Sequence, residues 1–264
     1  EPQWTTEYAV DFAQHFAAYG EHNFTSDSTE DINDVTWTAY NAAAANVGKF
    51  KITAAGLEID PKGDGTHLWA QNDDSAYLAA KLTDMMTGLG EDDTVALQLH
   101  MDCSPAPAAQ WDAYGLALWN GVTSGGGTTK YVAHRYVYTG SGPKRAETFS
   151  ETATGGSAAQ HYDSLVQATA QTFFEIVLYP GNGAVGNMGV FDTAFPDPLT
   201  TSAFRTYTSI SAALGPGGAY TNAVPTWNIP LATASFMIHA QRTSSATVLT
   251  TTSYKMRVLR RKNS

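Results

Sequence analysis

The sequence predicts an all-β fold in which two antiparallel sheets pack face to face. Three observations carry this. Apolar residues recur with a period of two, as in Val95, Leu97, Leu99 and Met101 against Thr94, Ala96, Gln98 and His100. That period buries one face of a strand and turns the other away. The alternating segments are separated by Gly, Pro, Asn, Asp and Ser, the residues of tight turns. Helical spacing recurs in only one short stretch.

Taken in order, Tyr8, Val10 and Phe12 share a face and predict a first strand. The polar, acidic run from Gly20 to Asp34 predicts a long loop. Val35 to Tyr40 is rich in β-branched and aromatic residues and predicts a strand. Phe50 to Asp60 predicts another, bulged at Gly56. Tyr77, Leu78, Lys81, Leu82, Met85 and Met86 recur at helical spacing, so Ser75 to Met86 predicts a short helix, stopped by Gly88 and Gly90.

Strands follow at Thr94 to Met101, Tyr114 to Asn120 and Lys130 to Tyr138, then a Gly/Ser/Thr-rich excursion from Thr139 to Gly156. Phe173 to Tyr179 and Val185 to Phe191 flank Pro180-Gly181-Asn182-Gly183, a hairpin signal. Thr193 to Pro230 is Pro-bounded and aperiodic and predicts a long surface loop. Phe236 to Arg242 and Thr247 to Leu259 predict a closing hairpin through Thr243-Ser244-Ser245. With no linker-like segment, residues 1–264 are expected to form a single domain.

Composition narrows the function. Charged residues make up 15% of the chain, against about 25% in an ordinary globular domain. Such a Thr-rich, low-charge surface suits extracellular modules and subunits of an assembly. The net charge of −10 argues against nucleic-acid binding. No apolar run approaches the roughly 18 residues that span a membrane. Cys103 is the only cysteine, so internal disulfides and cysteine-based zinc sites are excluded. The chain opens on Glu1 rather than Met, as a processed or partial chain does. Lys255, Arg257, Arg260, Arg261 and Lys262 crowd the last ten residues, and the remainder carries ten basic residues against 25 acidic. Such a basic end on an acidic body can dock on an acidic neighbour, including a second copy.

The order Tyr8-Ala9-Val10-Asp11-Phe12, Val35-Thr36-Trp37-Thr38, Ala55-Gly56-Leu57-Glu58-Ile59, Asp93-Thr94-Val95-Ala96-Leu97-Gln98, Tyr114-Gly115-Leu116-Ala117-Leu118-Trp119 and Phe173-Phe174-Glu175-Ile176-Val177-Leu178 resembles the concanavalin A-like lectin/glucanase superfamily. It is similar in particular to the divergent copies in bacteriophage structural proteins, such as fibres and capsid decorations. The resemblance implies a two-sheet jelly-roll β-sandwich with one short helix and long rim loops, and a face or rim that binds glycans. It also implies a virion-surface or extracellular setting. The partners would be further copies, other virion proteins or surface glycans, with no membrane insertion.

Within this resemblance, Glu58-Ile59-Asp60 matches the start of the Glu-x-Asp-x-Glu strand of laminarinase-type glucanases. Glu58 would be the nucleophile and Asp60 its helper. The acid/base position falls on Lys62, or on Gly63 with a bulge, and neither supplies a carboxylic acid. The expectation is therefore a protein without catalytic residues: a virion structural or attachment component, with a secreted lectin-type module as the alternative and a polysaccharide-degrading enzyme as a third reading.

Sugars stack on exposed aromatic rings. The candidates are Trp69, Trp111, Trp227, Tyr131 and Tyr220, while Trp37 and Trp119 are expected to plug the core. The resemblance implies no obligatory cofactor, but calcium is used by lectins of this superfamily. Asn72, Asp73 and Asp74, and the run Glu91-Asp92-Asp93, are the oxygen-rich candidates. Gly181-Asn182-Gly183-Ala184-Val185-Gly186 spells G-x-G-x-x-G but leads into a predicted strand, so it reads as a turn. His100, His134 and His239 fall on predicted strands and are expected to be half-exposed sheet residues.

Overall fold

The computed structural model describes residues 3–24, 28–41, 49–60, 75–90, 92–103, 107–110, 112–121, 131–138, 140, 145–151, 159–163, 172–179, 183–190, 195, 198, 230–241 and 251–262. Its strands, in chain order, are β1 (Thr5–Asp11), β2 (His22–Phe24), β3 (Thr29–Ile32), β4 (Val35–Asn41), β5 (Lys49–Thr53), β6 (Gly56–Asp60), β7 (Ser75–Lys81) and β8 (Thr94–Met101). They continue as β9 (Ala113–Trp119), β10 (Tyr131–Val137), β11 (Arg145–Glu151), β12 (Ala159–Asp163), β13 (Thr172–Tyr179), β14 (Gly183–Val190), β15 (Ser235–Gln241) and β16 (Thr251–Arg261). Helix α1 (Phe12–Tyr19) follows β1, and a single helical turn, α2 (Leu82–Met85), follows β7.

The strands form two sheets whose pairings are all antiparallel. Sheet A runs β14-β13-β8-β16-β6-β5-β2, with β1 also paired to β16. Sheet B runs β12-β11-β10-β9-β15-β7-β4-β3. Leu97, Leu99, Leu116, Leu118, Ile176 and Ile238 are fully buried in the one core between the sheets, as the alternation requires. Removing each such side chain from water contributes about 1.5–3 kcal/mol. Trp37 sits at the centre of this core, its indole edge on Phe236 at 5.9 Å. Its Nε1 donates to the Tyr8 hydroxyl at 3.0 Å, and that hydroxyl donates to the Ile32 carbonyl at 2.6 Å. Burial pushes the Tyr8 phenol well above its ordinary range.

Several elements differ from the sequence expectation, each for a local reason. The first strand stops at Asp11 because that carboxylate accepts from the Gln14 amide at 3.1 Å and caps α1. Phe12 and His15 are the buried face of this helix, which ends where Gly20 takes φ 85°. The predicted loop from Gly20 to Asp34 contains β2 and β3, and Asn33 and Asp34 turn β3 into β4 with positive φ. Phe50 to Asp60 is a hairpin, β5–β6, rather than one bulged strand. The chain reverses at Ala54 and Ala55, and Gly56, at φ 133°, leaves no room for a side chain against the Ser253 backbone.

The predicted helix over Ser75 to Met86 is strand β7 followed by the one turn of α2: Leu78 and Ala80 face the core at alternate positions, so period two wins over the helical reading. The excursion from Thr139 to Gly156 contains β11. The closing segments are not a hairpin, because β15 lies in sheet B and β16 in sheet A. The Pro180-Gly183 turn does join a hairpin, β13–β14, and a strand rather than a helix follows it.

Candidate functional site

The antiparallel register of sheet B aligns residues into rows on the face turned away from sheet A. Tyr77, His239, Gly115 and Arg135 form one row across β7, β15, β9 and β10. Ala79, Met237, Ala117 and Ala133 form the next, and Lys81, Ser235, Trp119 and Tyr131 the third. Tyr40 pairs with Tyr77 from β4. The alanines and Met237 are buried, and with Trp119 they form a second apolar cluster against which Tyr40 and Tyr77 pack.

Tyr40 and Tyr77 stack at 5.1 Å with their planes 11° apart. Trp119 meets both edge-on, at 5.2 and 5.6 Å. This cluster is separate from the main core. Both tyrosines are half-buried, and Trp119 is buried. Gly115 leaves room for β10, since a side chain there would meet the His134 carbonyl and the Arg135 backbone.

Arg135 puts a permanent guanidinium charge on this face, 5% exposed. His239 is held neutral: burial pushes its imidazole well below the usual range, and the Arg135 charge pushes it further. On this face Tyr40 and Tyr77 keep partial exposure and offer stacked π-surface, while Trp119, Arg135, His239 and the alanines beside them are buried. Stacked π-surface is the chemistry that holds a sugar ring by its C–H face.

Trp119 is buried, as a core plug is expected to be, but in a second cluster on the outer face of sheet B rather than between the sheets. Leu116 and Leu118 point inward, so strand alternation turns Trp119 outward. That parity was the available signal for it, and Tyr40 follows in the same way from Trp37, since the two have opposite parity on β4. Of the residues expected to bind glycans, Tyr131 falls on β10 opposite Trp119, while Trp69, Trp111, Trp227 and Tyr220 lie outside the described residues. Asn72, Asp73 and Asp74 lie outside them too.

Asp93 accepts from the Gly90 amide at 2.9 Å and faces Arg260 at 3.6 Å, which commits it to a turn and an ion pair. Among the described residues no group of three or more His, Cys, Asp and Glu is placed to hold a metal ion. Glu58 stands on the outer face of sheet A, flanked by the core residues Leu57 and Ile59, and accepts from the Thr53 hydroxyl at 3.0 Å. It is on the other sheet from the aromatic cluster. Lys62 and Gly63 lie outside the described residues.

The three strand histidines are buried rather than half-exposed, and they do not converge. His134 points into the core, edge-on to Phe174 at 5.9 Å, and burial lowers its pKa to about 3. His100 stacks on Phe173 at 4.4 Å on the outer face of sheet A. Cys103 is buried in the core, where burial pushes its thiol well above the ordinary range.

The basic C-terminal residues also differ from expectation, because β16 is an interior strand of sheet A rather than a free end. Arg260 is enclosed, with Nη2 2.8 Å and Nε 2.9 Å from Glu7 Oε1, and Nη1 donating to the carbonyls of Thr87 and Gly88. It is not available to a neighbouring subunit. Lys255 pairs with Asp11 at 3.3 Å. Arg257 donates to Gln98 at 2.7 Å, and Gln98 in turn donates to the buried Glu175 carboxylate at 2.5 Å. Arg261 lies over the Trp4 ring at 5.0 Å, and Lys262 is exposed.

No protein-family model and no curated protein sequence matches the chain. Among solved structures it is similar to an endo-1,3-β-glucanase from Streptomyces sioyaensis, at a TM-score of 0.52 and 12% identity over 98% of this chain and 97% of that one. It is also similar to the CBM2 module of the evolved Dit protein of Lactobacillus casei BL23 phage J-1, at 0.48 and 9% over 100% and 99%. A Bacillus licheniformis β-glucanase follows at 0.45 and 11% over 92% and 98%. The first match, with the two antiparallel sheets, shows the fold: a concanavalin A-like jelly roll. No helix among the described residues is long and apolar enough to cross a membrane.

Proposed function

We propose that this concanavalin A-like jelly roll is a non-catalytic attachment module, displayed on a virion surface as one copy of an oligomer and gripping a polysaccharide with the outer face of sheet B. The observation that carries the glycan reading is the stacked Tyr40–Tyr77 pair, the two half-exposed rings on the outer face of sheet B, backed by the buried Trp119. The non-catalytic reading is supported by Glu58, which stands on the opposite sheet from the platform and is hydrogen-bonded to Thr53. The virion setting rests on the low-charge, Thr-rich composition and on the strand order resembling phage structural jelly rolls.

The test is retention of the chain on immobilised polysaccharides, comparing wild type with Tyr77→Ala and Tyr40→Ala. Loss of one stacking ring is expected to weaken retention by about tenfold. The glycan reading fails if wild type is retained by no polysaccharide, or if both variants are retained as well as wild type. Mass measurement separates the settings: an oligomer that decorates particles fits the virion role, and a free monomer that binds glycan is a lectin-type module instead.

A further inference from the structure

Where the edge strands β2 and β3 meet α1, two histidines come together. Gly20, at φ 85°, reverses the chain after α1 and returns His22 beneath the helix. The His15 and His22 rings lie 5.1 Å apart, centre to centre. His15 is 5% exposed, and the Tyr19 ring lies 4.7 Å from it.

The hydrogen bonds around the pair determine which nitrogens carry lone pairs. Asn33 Nδ2 donates to the Ala9 carbonyl at 2.9 Å, which orients the amide and leaves its Oδ1 facing His15 Nδ1 at 3.3 Å. An amide oxygen only accepts, so His15 Nδ1 carries the proton. Its Nε2 is therefore an unprotonated lone pair, and that atom is buried with no hydrogen-bond partner. His22 Nδ1 faces the Glu30 carboxylate at 3.5 Å, which favours the same tautomer. Each imidazole thus has an oxygen acceptor at Nδ1, which leaves Nε2 as its lone-pair nitrogen. Metal-ligating histidines are held this way, by a second-layer acceptor that fixes the tautomer and raises the ligand's basicity.

We propose that His15 and His22 form a two-histidine site for a divalent transition-metal ion of the zinc type, oriented by Asn33 and Glu30, with water completing the coordination. Imidazole nitrogen suits zinc, copper and nickel, whereas calcium takes oxygen ligands. Of the charged groups nearby, Lys51 is engaged with Glu21 at 2.8 Å. A bound ion would tie α1 to the β2 and β3 strands and so clip the helix onto the sandwich.

The experiment is a calorimetric Zn²⁺ titration of the full chain without a histidine tag, with ¹⁵N spectra of the imidazoles alongside. His15 is buried and its variants risk the fold, so the comparison uses His22→Gln and Glu30→Gln, both at partly exposed positions. One saturable site is expected in wild type, with zinc perturbing Nε2 of two histidines and leaving both Nδ1 protonated. His22→Gln is expected to abolish it. Glu30→Gln, which touches no metal, is expected to weaken it by about 10–100-fold. The proposal is overturned if wild type shows no saturable zinc binding, or if either variant binds zinc as wild type does.

Discussion

Arg260 shows how much of this chain's charge is spent inside the molecule. Its guanidinium is met by Glu7, Asp93 and two backbone carbonyls, and only 8% of the residue reaches solvent. Removing one partner from such an arrangement leaves the others desolvated, and that penalty exceeds the value of the pair itself. Arg260→Ala is expected to destabilise the fold by about 3 kcal/mol, read from urea unfolding at pH 7. Lys262→Ala, at an exposed position, is the control, expected to change stability by less than about 0.5 kcal/mol. A second residue carries a similar lesson at smaller scale. Tyr8→Phe removes the hydroxyl that satisfies both Trp37 Nε1 and the Ile32 carbonyl. It is expected to cost about 1–3 kcal/mol, where the same change at the exposed Tyr19 costs nothing measurable.

Between elements, closeness of approach is set by glycine. Gly115 lets β10 run so near β9 that a side chain there would press on the His134 carbonyl and the Arg135 backbone. Gly115→Ala is expected to cost about 3 kcal/mol and to disturb Arg135 on the platform face, so polysaccharide retention falls with stability. The neighbouring Ala117→Gly is expected to cost only about 0.5–1 kcal/mol and to leave the row intact. Strands of this kind were legible in the sequence: Thr94–Met101 is β8 to the residue, and the alternation of Val95, Leu97, Leu99 and Met101 named its core face. Elements fixed by a single capping or turn residue were harder to read. The Asp11 cap and Gly20 enclose a helix of eight residues whose buried side chains, Phe12 and His15, are too few to set a period. In β7 the core residues Leu78 and Ala80 run on into Leu82, Met85 and Met86 of α2, so strand and helix spacing overlap. The platform was half legible, since parity alone turns Trp119 away from Leu118, but which rings meet across the sheet depends on the pairing of β4, β7 and β9, which no local pattern encodes. Strand order also changes what the C-terminus means. With β16 paired to β1, β6 and β8, a chain ending at Tyr254 loses an interior strand of sheet A and is expected not to fold, giving an unfolded far-ultraviolet spectrum rather than a monomer with weaker association.

For the molecule as a whole, the buried histidines set the acid limit of stability. His134 lies in the core and His239 lies beside Arg135, and burial depresses both imidazoles. In the folded chain they are neutral at pH 7, and in the unfolded chain they bind protons near the ordinary value of about 6.5. Below that pH the unfolded state holds more protons than the folded one, so their contribution to stability is complete above about pH 6.5 and falls as the solution is acidified. For His134 the fall continues until the folded form protonates near its own pKa of about 3. Each histidine contributes a slope of about 1.4 kcal/mol per pH unit within its window. Wild type is therefore expected to lose stability steeply between pH 7.5 and pH 5.0. His134→Gln removes one proton-binding group from the unfolded state. It is expected to start less stable but to lose about 2 kcal/mol less over the same interval, measured by urea unfolding at both pH values. Parallel losses in wild type and variant would mean that His134 takes up its proton in the folded core as readily as in the open chain.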